Sequence, residues 1–64
     1  MKARLHCKHE GEVIAHGELR SYKEFFFIEL FHGFDPKVIA NELTFRSIGE
    51  VKNWLNASGW QIAG

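Results

Sequence analysis

Hydrophobic and polar residues alternate with period two from the start of the chain. Ala3, Leu5 and Cys7 occupy one parity and Arg4, His6 and Lys8 the other, the pattern of a half-buried strand. His9-Glu10-Gly11-Glu12 reads as a turn, and Val13-Ile14-Ala15-His16 as the returning strand of a hairpin. The register that best sorts apolar from polar residues sets His9 opposite Val13, Cys7 opposite Ala15 and Leu5 opposite Gly17. On the other parity it pairs His6 with His16 and Arg4 with Glu18. After a break at Arg20-Ser21-Tyr22-Lys23, the run Glu24 to Phe31 carries the strongest strand signal and reads as the central strand.

His32-Gly33-Phe34-Asp35-Pro36 predicts a loop, because proline cannot continue a ladder and Asp before Pro favours a turn. Lys37 to Phe45 admits two readings: a helix capped by Asp35 with Pro36 in its first turn, or a fourth strand, towards which the alternation leans. Ser47-Ile48-Gly49-Glu50 matches a capping box, so a helix begins there. Ile48, Val51, Leu55 and Ser58 form its stripe with Trp54 beside them, Ser58-Gly59 ends it, and Trp60-Gln61-Ile62 reads as a last short strand. The fold class expected is α+β: a small antiparallel β-meander of three or four strands, one α-helix packed on one sheet face, and a short C-terminal strand.

A chain of 64 residues is expected to form one domain, residues 1–64, with a small core. Its single cysteine, Cys7, cannot form an internal disulfide. No apolar run approaches the ~20 residues that span a bilayer, and Met1-Lys2-Ala3-Arg4 does not open a signal-peptide pattern. These features lead to an expectation of a cytoplasmic protein without membrane association. Eight Lys and Arg balance eight Asp and Glu, so no global field draws the chain to nucleic acid. Protonation of four histidines on acidification would make it positive.

The run before His32 is apolar on both parities. Phe26, Ile28 and Leu30 make one face and Phe25, Phe27 and Phe31 the other, interrupted by Glu29. One helix covers one face, which leaves the second exposed unless the segment from His32 to Phe45 folds back over it. The expected function is that of a small non-enzymatic protein-binding module, of the size of stand-alone bacterial or phage regulators and inhibitors. Phe25, Phe27 and Phe31 would anchor a larger protein or a second copy in a homodimer, and Lys23 and Glu29 would fix register.

The alternative is a single-stranded nucleic-acid binder that stacks bases on the phenylalanines, with Lys2, Arg4, Lys8 and Lys23 on phosphates. Lys23, Phe25, Phe27 and Ile28 match part of the RNA-recognition aromatic motif, but Glu24, Phe26 and Leu30 break it. Cys7 and His9, with His16 or His32, fall short of the paired ligand spacing of a zinc site, so no metal or other cofactor is expected. Cys7 beside a histidine on a small hairpin offers no pocket for nucleophilic catalysis, and no enzymatic activity is expected.

Overall fold

The computed structural model describes residues 2–32 and 38–63. The chain forms β1 (Lys2–His9), β2 (Glu12–Ser21), β3 (Phe26–His32), β4 (Val38–Phe45), α1 (Ile48–Ser58) and β5 (Trp60–Ala63). The strands make one antiparallel sheet in the order β4-β3-β2-β1-β5. The meander therefore has four strands, and the segment that admitted two readings is the strand β4. Of the loop predicted from His32 to Pro36, His32 instead ends β3, paired with Val38, and the rest lies outside the described residues. β2, not the phenylalanine-rich strand, is central; β3 lies between β2 and β4.

The first hairpin has the expected register from Arg4↔Glu18 to Cys7↔Ala15, and then a bulge shifts it so that Lys8 meets Val13 and His9 meets Glu12. The reason is the turn. Glu10 and Gly11 both take positive φ, 52° and 83°, the geometry of a two-residue hairpin loop whose twist matches its strands. A two-residue loop sets His9 opposite Glu12, and the extra residue is absorbed as the bulge. β2 also runs further than expected, because Ser21 still pairs with Phe26 and Arg20 with Phe27. The break falls at Tyr22 to Phe25, closed by the Tyr22 N–H donating to the Phe25 carbonyl at 2.9 Å.

The helix is stopped at both ends by local chemistry. Ser47 Oγ accepts from the Glu50 N–H, and Glu50 Oε2 accepts from the Arg46 N–H at 2.8 Å, one residue earlier than a capping box requires. At the other end Gly59 adopts φ 81° and its N–H donates to the Leu55 carbonyl, a left-handed cap that glycine takes without a Cβ penalty. The helix faces the sheet through Val51, Trp54 and Leu55; Ile48 and Ser58, assigned to the same stripe by spacing, are exposed.

Leu5, Leu19, Ile28 and Val51 are fully buried and form the centre of the core. Each contributes about 1.5–3 kcal/mol by leaving water. Trp54 lies between the two edges of the sheet, its ring 6.1 Å from Phe45 on β4 and 6.3 Å from Trp60 on β5. One helix thus ties together the first and last strands of the sheet order. Among the described residues no helix is long and apolar enough to cross a membrane.

Gly17 on β2 pairs with Leu30 on β3. A Cβ there would lie 2.5 Å from the Glu29 carbonyl oxygen and 3.1 Å from Leu30 Cδ2, so the backbone itself would have to move. Gly17→Ala is expected to lower stability by about 1–3 kcal/mol, the ordinary cost of overpacking. A urea midpoint equal to that of the parent chain would show that β2 and β3 can separate without loss.

Candidate functional site

α1 packs over the face formed by Leu5, Leu19, Ile28 and their neighbours. Among the described residues, no element lies over the opposite face. Register assigns its side chains in rows that cross the strands: Lys2, Arg20, Phe27 and Thr44; Arg4, Glu18, Glu29 and Glu42; His6, His16, Phe31 and Ile39. The strand β4 continues the sheet in its own plane, so residues 38–45 do not fold back over this face.

The middle of the face is a chain of charges. Arg20 Nη2 donates to Glu18 Oε2 at 3.0 Å and lies 3.2 Å from Glu29 Oε1, while Lys2 Nζ lies 3.6 Å from the same Glu18 oxygen. Glu18 and Glu29 stand directly opposite each other on neighbouring strands, their side chains only 14% and 13% exposed. Two carboxylates so placed repel, and the guanidinium between them turns the repulsion into two attractions. Arg20 is in turn held more firmly in its charged form, first by its hydrogen bond with Glu18, then by one with Tyr22 and by the charge of Glu29.

The phenylalanines of the sequence-based anchor are spread apart. Phe31 is buried, with its ring 5.3 Å from that of His16. Phe27 is half-buried on β3, in the row of Arg20. Phe25 precedes β3, and its ring stacks on Tyr22 at 4.8 Å, so it belongs to the turn and does not extend the strand face. Lys23 is exposed in the same turn, and Glu29 serves the ion-pair chain. Four further apolar residues, Val13, Ile14, Val38 and Ile39, are exposed at the end of the sheet where β1 and β3 finish.

A groove of about 730 Å³ runs between β1 and β2 on this side, with Lys2, Arg4 and His6 contributed by β1, Val13, His16 and Glu18 by β2, and Ala63 of β5 at its rim. Sequence reasoning anticipated the pairings Arg4↔Glu18 and His6↔His16. It missed the Lys2–Glu18–Arg20–Glu29 chain, for which the signal was the alternation of Glu18 and Arg20 on a strand neighbouring Glu29. Cys7 is half-buried on the helix side, opposite Ala15 and Trp60, away from His6 and His16. Among the described residues no group of three or more His, Cys, Asp or Glu is arranged to hold a metal ion.

Compared with protein-family models, curated proteins and solved structures, the chain finds no match in any of the three.

Arg20→Met removes the cation from between two facing carboxylates and is expected to lower the urea midpoint clearly. Adding Glu29→Gln should recover part of that loss, since the repulsion then disappears with one of the charges. A double variant less stable than Arg20→Met alone would show that the chain of ion pairs does not organise this face.

Proposed function

We propose that the chain is a small non-enzymatic protein-binding module whose sheet face opposite the helix docks on the surface of another protein. The observation that carries this reading is the one-sided coverage of the sheet. A face that holds Phe27 and Ile39 among rows of ordered charges stands without a second layer among the described residues. Such a mixture of partly exposed apolar groups and fixed charges is the composition of a protein interface, where apolar contacts give affinity and charges give register.

Charge favours a protein partner over nucleic acid. A strand of bases stacked on Phe27 would run its phosphates past Glu29 and Glu42, which belong to the same two strands and have no Lys or Arg beside them on β3 or β4. A protein surface can answer those carboxylates with cations of its own. Lys23 and Phe25, set apart in the turn with Tyr22, would contact the rim of such an interface and not its centre.

The test is position-specific photo-cross-linking in cells that make the protein. A benzophenone side chain at Phe27 is expected to give a discrete protein adduct, whereas one at Asn53, exposed on the helix, gives none. Adducts removed by nuclease treatment, or none from position 27, would end this reading.

A further inference from the structure

We infer that the groove between β1 and β2 receives an acidic, extended segment of the partner protein, with Arg4 as its principal contact. The inference rests on the reading of the uncovered face as a docking surface and names the chemistry that part of it recognises.

The geometry of Glu18 isolates Arg4. The two residues are cross-strand partners, yet the Glu18 carboxylate is engaged by Arg20 at 3.0 Å and Lys2 at 3.6 Å. Arg4 therefore forms no ion pair among the described residues, although it stands in a row with three carboxylates. Its guanidinium keeps a planar set of donors that matches a carboxylate edge. His6, two residues along β1, borders the same groove; its Nε2 lies 3.3 Å from Gln61 Oε1, which fixes the ring over the β5 side. His16 faces it from β2. The groove thus gathers nitrogen-bearing side chains from both strands, while its one carboxylate is already neutralised.

Direction matters as much as sign. The groove follows the strands, so a bound segment lying along it stays over β1 and β2 and avoids Glu29 and Glu42 on β3 and β4. A nucleic-acid strand that also used the phenylalanines would have to cross to β3. A volume of about 730 Å³ lies within the range of ligand-sized clefts and is ample for a few extended residues.

The probe is an acetylated tetraglutamate amide, compared with its tetraglutamine and tetralysine counterparts and with an oligothymidylate, by NMR titration of the isotopically labelled chain. Saturable shifts confined to β1 and β2 are expected with tetraglutamate at up to about 5 mM, and none with the other two peptides. Arg4→Gln should weaken binding at least about tenfold, with the amide spectrum otherwise retained, while His32→Gln, exposed and outside the groove, leaves it unchanged. Equal binding of tetraglutamine, shifts scattered over the surface, tighter binding of the oligothymidylate, or no binding would each overturn the inference. So would a dimer of the free chain that Arg4→Gln dissociates, since that would give the groove to a second copy. Cross-links from position 27 without tetraglutamate binding would leave the docking reading standing and remove the acidic segment; tetraglutamate binding without cross-links would do the reverse.

Discussion

An α-helix of eleven residues is about 16 Å long, and in this chain it must close the apolar side of a five-stranded sheet whose central strand alone extends over ten residues. It does so with few side chains: Val51 seals Leu5, Leu19 and Ile28, and Trp54 reaches Phe45 on one edge strand and Trp60 on the other. Everything else follows from spending the helix on that face. Leu43, Phe45, Trp60 and Leu55 remain half-buried at its margins, and the opposite face has to be kept stable by other means.

Those means are electrostatic. With no second layer over this face among the described residues, the chain crosses β1, β2 and β3 with Lys2, Glu18, Arg20 and Glu29, each close enough to an opposite charge to be held in place. Exposed ion pairs on their own contribute little, but a network with half-buried carboxylates avoids the cost of facing like charges across strands. The arrangement also divides the face. Cations gather on β1; β3 and β4 carry carboxylates but no Lys or Arg of their own, and Arg20 of β2 stands between them. A docking partner would meet a surface whose charges are already ordered, so less entropy would be lost on binding than with mobile side chains.

Much of this could be read from the sequence, and what could not has identifiable causes. Period-two alternation located β1 and β2 and tipped β4 from helix towards strand, the aromatic run marked β3, and Ser47, Glu50 and Gly59 marked the helix ends through their own hydrogen bonds. The bulge after Cys7 escaped because the positive φ of Glu10, a residue that seldom adopts it, shortened the turn to two residues. The surroundings of the phenylalanines were out of reach for a similar local reason: Phe25 stacks on Tyr22 in the turn, and Phe31 is buried beside His16. Composition marks a residue as aromatic but not whether its neighbours cover it. The isolation of Arg4 was also out of reach, since it depends on which cations Glu18 selects.

The edges of the sheet offer the other route by which such a domain could bind, by adding a strand, and they are poorly suited to it. β5 is four residues long and pairs with β1 only from Arg4 to Cys7, which leaves a short ladder for a guest strand. β4 is longer, but the register shift beside Phe31 interrupts its regular spacing, and Asn41 Oδ1 accepts the N–H of Glu42 at 2.9 Å, so that donor is already satisfied within the chain. A shortened edge and a bulge are among the devices by which natural sheets discourage edge pairing, and the self-capped amide removes one donor more. With the edges blunted and one face sealed by the helix, the docking proposed above falls to the face that no described element covers, where side chains and not backbone ladders would supply the contacts. A partner chosen by side chains is chosen by charge and shape, which suits the sorting of cations and carboxylates on separate strands.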